Sequence, residues 1–436
     1  SRQREDGSWG QYFGAPGDLS TSVECYFALK LAGVPPDTQA MARARRFILS
    51  KGGVPRVRVF TKIWLSLFGQ WDWKGVPVLP PELMLFPNWF PVNIYEFSSW
   101  ARATIVPLLI VLDRRPVKPV PPEAAIDELY PLPRDKTDYS IPRPASLLSW
   151  RGFFYLADKL LRVYQRLPWK PGRARALRKA ERWVLDHQEA DGSWAGIQPP
   201  WVYSLIALKL LGYPLDHPVM KKGLQGFEGF AIEEGDTWRV QACISPVWDT
   251  CLALIALVES GLPPDHPAVQ SAARWLIKEQ VTSGGDWQVK NPKGPPGGWA
   301  FEFANDIYPD VDDTAEVIIA LALARLPQAE EAAKERAMDL GVRWTVSMQS
   351  RNGGWAAFDK DNTRTLLAHI PFADFGETLD PPSVDVTAHV VEMLGRLGYS
   401  KDLPLIRKAL DYIKKEQEPD GCWFGRWGVN YVYGTG

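Results

Sequence analysis

The sequence predicts an all-α protein built as α/α barrels, double rings of inner and outer helices. Three observations predict it: a recurring Gln…Gly-x-Trp unit, an amphipathic helix before most copies, and a far more apolar helix after each. The unit reads Gln3…Gly7-Ser8-Trp9, Gln188…Gly192-Ser193-Trp194, Gln280…Gly285-Asp286-Trp287, Gln349…Gly353-Gly354-Trp355 and Gln417…Gly421-Cys422-Trp423. The last three Trp positions are 68 residues apart, which reads as a structural repeat.

The helices before the unit, such as RKAERWVLDHQ and KALDYIKKEQ, place apolar residues at i, i+3, i+4 and i+7 and charges elsewhere. Such a helix buries one side and belongs to an outer ring. Glycine permits the turn that follows, and Trp and Gln can clamp adjacent repeats by stacking and hydrogen bonding. The second kind of helix appears as STSVECYFALKLAG, PPWVYSLIALKLLG, SPVWDTCLALIALVESG, DVDDTAEVIIALALARL and PSVDVTAHVVEMLGRLG. Apolar nearly all round, these are expected to be buried on all sides as an inner ring.

The chain divides on this reading into a first barrel over 1–235 and a second over 236–436, the second incomplete and carrying the acidic motif. Residues 70–145 break the rhythm with a Pro-rich excursion holding one short helix from Tyr95 to about Leu112. A chain that opens on SRQREDGSWG and closes on YVYGTG reads as a fragment lacking both ends.

Composition narrows the function. Fifty basic and 51 acidic residues give a net charge of −1, which offers no field for nucleic acid. Four scattered cysteines form neither a disulfide framework nor a CxxC metal motif, which suits a reducing compartment. No apolar run approaches the roughly 20 residues that span a bilayer, and the amino terminus lacks a signal pattern. The 20 Trp, 14 Tyr and 18 Phe demand either a very large core or a cavity walled with aromatic rings.

If the inner helices run parallel, their polar first turns meet at one end of a barrel. Asp310, Asp312, Asp313, Asp249, Asp385, His389, Trp248, Gln198 and Tyr203 then become neighbours. Taken alone, DVDDT is a capped helix start, because Asp and Thr favour that position and acidic groups complement the helix dipole. Three carboxylates exceed what a cap needs, and their repulsion in an apolar setting should raise at least one pKa. Asp385 and His389, four residues apart on the parallel helix, supply a partner. The Asp249-x-Cys251 pair is half of a zinc site with nothing to complete it, so no metal is expected. A protonated aspartate in an aromatic pocket with no nucleophile, metal or cofactor suits protonation of an alkene. Ring faces would then stabilise the carbocation and exclude water.

Together, DVDDTAE, the Gln…Gly-x-Trp units, GIQPPW, ISPVWDT, IPFADFGE, DPPSVDVTAH and FGRWGVNYVYGTG resemble the bacterial squalene-hopene cyclase family over essentially the whole chain. The resemblance implies two α/α barrels around a central cavity, in a homodimer sitting monotopically on the cytoplasmic side of the cell membrane. It implies a cascade from squalene to hopene or, by water capture, hopanol, with no cofactor and no metal. Carried over by position, Asp312 is the proton donor between Asp310 and Asp313, with His389 as the partner that makes it acidic and Asp385 orienting the imidazole. Trp100, Trp248, Phe301, Phe358, Trp427 and Tyr433 match cavity aromatics. Gln198, Tyr203 and Glu24 match the opposite, terminating end, where a water removes the last proton. Phe358 and Ala373 depart from the family's common tyrosine and cysteine. The acidic motif alone would also fit cyclases of oxidosqualene or a diterpenoid precursor, and a non-catalytic lipid-binding barrel is the reading from another class. For membrane contact, residues 152–173 read as an interfacial amphipathic helix ending in Leu-Pro-Trp and basic residues.

Overall fold

A computed structural model describes residues 2–373, 377–427 and 431–436. The chain forms two compact units. The first comprises residues 1–80, 111–171 and 368–376, and the second residues 81–110, 172–367 and 377–436.

In the first unit the apolar helix Leu19–Leu31 packs on the amphipathic helix Gln39–Ser50. Asp18 caps the former by accepting from the Thr21 N–H at 2.8 Å. Helices Val59–Leu67 and Trp150–Arg166 complete this unit's longer elements.

In the second unit three inner helices, Pro246–Glu259, Val311–Leu323 and Val384–Arg396, lie side by side with Val311–Leu323 in the middle. Each is followed by an outer helix that packs against it: Pro267–Lys278, Gln328–Ser347 and Pro404–Lys415. Because an outer helix returns the chain each time, the inner helices run parallel and their first turns share one end.

The expectation of burial on all sides holds only for the middle helix, where every residue from Val311 to Leu321 is buried. Pro246–Glu259 buries only Val247, Cys251 and Leu254 and leaves Leu252 and Leu257 exposed. The reason is geometric: Val311–Leu323 has an inner neighbour on each flank and an outer helix behind it. Two further differences from the sequence reading concern local structure. The helix of the excursion runs Ser99–Arg114, through Pro107. Residues Ala231–Glu234 and Thr237–Val240 form an antiparallel hairpin, turned through Gly235 at φ +57°, the one sheet among the described residues.

The repeat unit is a hydrogen-bonded clamp. The Gln349 amide donates to the carbonyls of Gly353 and Leu405 at 2.8 and 2.9 Å, tying its turn to the next outer helix. Gln3 does the same to Gly7 and Ala40, and Gln188 to Gly192 and Val219. The Trp355 indole donates to Thr345 O at 2.7 Å, and its backbone N–H to the Thr387 hydroxyl at 3.0 Å, so one residue joins an outer helix to the next inner one. Gly353 has φ +98°, and a Cβ there would collide with the backbone of Lys408, so glycine is required twice over.

The third copy is not where its sequence spacing put it. Gln280 donates to Gly297 and Ala337, Trp299 donates to Leu276 O at 2.6 Å, and the Trp299 N–H reaches the Thr314 hydroxyl. The clamp is therefore Gln280…Gly297-Gly298-Trp299, with Gln and Gly 17 residues apart instead of 4. Gly285 has an extended backbone, and Trp287 packs edge-on against Trp344 at 6.0 Å instead. The 68-residue regularity is a coincidence created by that insertion. The corrected clamp leads into the acidic motif, because Trp299 O accepts the Asp310 N–H at 2.7 Å.

Candidate active site

Asp310 is the N-cap of the middle inner helix. Its Oδ1 accepts the Asp312 N–H at 2.7 Å and its carbonyl the Thr314 N–H at 3.1 Å. Asp312 and Asp313 occupy the first turn of that helix, and all three carboxylates are buried. Burial, with the charge of Asp312 adding to it, holds Asp310 well above the usual carboxylate range. Asp313 is raised likewise, by burial and then by Asp310 and Asp312. In both, burial is the larger cause and the mutual repulsion of the three carboxylates adds to it.

His389 comes from the neighbouring inner helix. Its Nδ1 lies 2.5 Å from Asp312 Oδ1 and 3.7 Å from Glu316 Oε1. Burial alone would depress this imidazole, but the hydrogen bond and charge of Asp312, with Glu316 and Asp385 beyond, outweigh it and push the ring up to about 9. At neutral pH it is an imidazolium bonded to Asp312.

Asp385 does not orient that ring. Its Oδ2 accepts the backbone N–H groups of Arg426 and Trp427 at 2.7 and 3.2 Å. The carboxylate lies on the first turn of its helix, within reach of the 426–427 backbone, so it anchors the segment that carries Trp427. Spacing on one helix could show that Asp385 and His389 share a face, but not what else that face meets.

The acid end opens on a cavity of about 460 Å³, within the range of small-molecule sites. Its walls include Trp100, Trp248, Phe301, Phe358, Trp427 and Tyr433, together with Tyr308, and Asp310, Asp312 and Asp313 at one place on the lining. All belong to the second unit. Trp100 packs edge-on against Phe358 at 5.9 Å and Trp427 at 5.8 Å, which fixes three rings against one another. The Trp248 ring lies 6.0 Å from that of His389.

Four residues expected near the acids or at the terminating end do not line this cavity. Gln198 and Tyr203 are absent from the lining. Gln198 begins its helix and donates its backbone N–H to Ala242 O, while Tyr203 is buried within the unit, and the cavity is met at this point by Ala195 and Ile197. Glu24 belongs to the first unit, where it accepts from the Thr61 hydroxyl at 2.5 Å. Asp249, counted among the converging carboxylates, accepts from Ser245 at its own helix start, and Cys251 donates to Trp248 O.

Other residues matter here that sequence reasoning passed over. Asp380, fully buried, accepts the N–H groups of Phe358 and Asp359 at 2.7 and 2.9 Å and so shapes the loop presenting Phe358. Burial pushes its carboxyl up to about 6. Glu302 lines the cavity, bonded to Asn305 at 3.0 Å, and burial pushes it up to about 8. Tyr308 donates its hydroxyl away from the cavity to Asp286, which is held in turn by Arg102 and His187. Glu316 had a signal, since it stands four residues after Asp312 and shares its face. Asp380 had none, because its partners are backbone amides of a loop.

Comparison with known proteins agrees with this architecture. Residues 1–236 match the family model for the squalene-hopene cyclase N-terminal domain, and residues 244–436 that for the squalene-hopene cyclase C-terminal domain. The chain is 52% identical to squalene-hopene cyclase of Alicyclobacillus acidocaldarius over 436 residues, all of this chain and 68% of that protein. It is 46% identical to dammaradiene synthase of Dryopteris crassirhizoma, over 98% of this chain and 63% of that protein. It is 42% identical to squalene-hopene cyclase of Zymomonas mobilis, over 99% and 66%. The chain thus spans about two thirds of the length of these relatives. By sequence along its whole length, and with the α/α barrel fold those domains form, this chain belongs to the squalene-hopene cyclase family.

Proposed function

We propose that the protein to which this chain belongs is a protonation-initiated triterpene cyclase acting on squalene, with Asp312 as the acid. The observation that carries this reading is the 2.5 Å contact of Asp312 with a charged His389 at the edge of an aromatic, largely apolar cavity. Asp312, protonated on the oxygen that His389 does not hold, transfers its proton to one carbon of a terminal alkene, and the other carbon becomes cationic. The imidazolium stabilises the carboxylate left behind, and no water need reorganise to do so. Ring faces of Trp100, Trp248, Phe301, Phe358 and Trp427 each stabilise a passing cation by about 0.5–2 kcal/mol and keep the cavity dry. Successive alkenes attack until the last cation loses a proton, giving hopene, or captures water, giving hopanol. The proton released restores the count, so the reaction is an isomerisation or a hydration and needs no cofactor.

Incubating the protein, expressed in its full natural reading frame, with squalene in deuterated water tests the reading. A cyclic triterpene carrying one deuterium at the initiating end is the expected product by mass spectrometry; no cyclic triterpene above a heat-killed control would sink it.

We also propose attachment to a membrane surface through the helix Trp150–Arg166. Its exposed residues Trp150, Phe153, Leu156, Leu160 and Val163, with Leu167 just after it, follow a three-and-four spacing on one face, and Trp169 is exposed beyond them. The opposite face is anchored to the protein, since Asp158 accepts the Val78 N–H and pairs with Arg162. An apolar stripe turned outward, flanked by the exposed Lys159 and Arg166 for anionic headgroups, suits an interfacial helix. The double variant Phe153→Glu, Leu160→Glu should lose co-sedimentation with vesicles of anionic phospholipid by about tenfold or more. Undiminished binding would remove this helix from the contact.

A further inference from the structure

The cyclase reading gives work to Asp312 and His389 but leaves a fourth buried carboxylate unexplained. Asp312 and Glu316 stand four residues apart on one face of the middle inner helix. The His389 ring, arriving from the next helix, presents the same Nδ1 to both, 2.5 Å from Asp312 Oδ1 and 3.7 Å from Glu316 Oε1. One N–H cannot bond two acceptors equally, so Asp312 takes the hydrogen bond and Glu316 stands as a second charge. Its side chain is 9% exposed, so solvent screens it little.

The surroundings sharpen this. Asp385 and Glu392 lie on the helix of His389, and Cys251 comes from the inner helix on the other flank. Tyr433 faces the same carboxylates from the carboxy-terminal segment. The cation facing the group, Arg396, is more than one third exposed and already paired with Glu259 and Glu392 at 2.9 and 2.8 Å. After Asp312, Glu316 is therefore the closest anion to the imidazole.

A donor that must carry its own proton beside a charged imidazole has a difficulty of its own making. Whenever Asp312 carries the proton it is to transfer, the buried imidazolium loses the charge it pairs with afterwards. The singly protonated pair, carboxylate with imidazolium, is the competing and inactive form. From this geometry we propose that Glu316 is a positioning residue for the acid, a second buried carboxylate that, when ionised, favours the charged form of His389 beside Asp312. The assignment rests on the cyclase reading for its role in turnover, but not for its effect on the imidazole. Burial first, then the repulsion of Asp312 set against the attraction of His389, raises Glu316 to about 7, so this counter-ion is itself present mainly above neutrality.

The test is the titration of His389 by NMR in the full-reading-frame protein labelled at its histidines, with the His389→Gln variant identifying the signal. The unaltered protein is expected to titrate near 9, and Glu316→Gln should lower that value by about one unit or more. Glu316→Asp, which keeps the charge on a shorter arm, should restore most of the difference, so a folding defect in the Gln variant cannot imitate the result. In squalene turnover the alkaline limb of kcat/KM against pH should move toward acid by a similar amount in Glu316→Gln, whatever the height of the plateau. A His389 titration that Glu316→Gln leaves within about 0.3 units of the original overturns the proposal, as does a limb that stays in place while melting temperature falls. A protein that titrates as expected yet makes no triterpene overturns the cyclase reading and leaves the linkage standing.

Discussion

Replacing Asp312 by Asn should reduce squalene cyclisation by about 10³-fold or more while leaving the fold intact, because it removes the proposed acid and almost none of the volume. General acids contribute on this scale when another donor can partly substitute. Here Asp310 is occupied as the N-cap of the helix, and no hydrogen bond joins His389 to Asp313. The exchange also takes one charge out of a buried cluster in which Asp310 and Asp313 are already held above their usual range, partly by Asp312 itself. Stability should accordingly change by no more than about 1 kcal/mol, the loss of the His389 hydrogen bond offsetting the relief of repulsion. The measurement pairs triterpene yield with thermal melting by circular dichroism. Turnover above one tenth of the original would show that the acid lies elsewhere, and a collapsed melt would return DVDDT to a purely structural role.

The second large effect is on stability, which should fall as pH rises from about 5 to 9. His389, raised to about 9 in the fold from its usual 6.5, contributes stability that is fully present below about 6.5 and is lost as pH climbs through 9. The buried acids act in the same direction. Glu316 and Glu189, each near 7, Glu302 near 8 and Asp380 near 6 keep protons that the unfolded chain releases above about 4.5, so unfolding gains with each step upward. Asp286, held below the usual range despite its burial by Arg102 and His187, works oppositely but only in acid. His389 and the raised acids all act in one direction, so stability should be greatest near pH 5 and the melting temperature lower by roughly 10 °C or more at pH 9. Scanning calorimetry across that range checks it, and Glu302→Gln should flatten the slope. A melting temperature that is level or rising between pH 5 and 8.5 would contradict the assignment.

Much of this was readable along the chain, at identifiable places. The inner helices declared themselves by apolar length, and parallel order follows from the outer helices between them, so Asp312 meeting His389 could be anticipated from two separate stretches. The repeat clamp was readable wherever Gln and Gly stand 4 apart, as at Gln349 and Gly353. It failed at Gln280, where an insertion moves the true glycine to position 297 and Gly285-Asp286-Trp287 imitates the pattern. Asp385 was misassigned for a related reason: a helical face can be counted from spacing, whereas its neighbour across space, here the backbone of Arg426 and Trp427, cannot.

By itself, then, the sequence determined the helical class, the capped acidic turn, the partner imidazole and the aromatic wall, because each rests on local periodicity or on composition. Only the tertiary structure decided which oxygen the imidazole holds, that Glu316 stands 3.7 Å from it, that Asp385 and Asp380 hold backbone instead, and that Gln198 and Tyr203 stand off the cavity. Those are matters of ångströms between segments distant in the chain, and burial turns such distances into the charge states on which the proposed proton transfer depends.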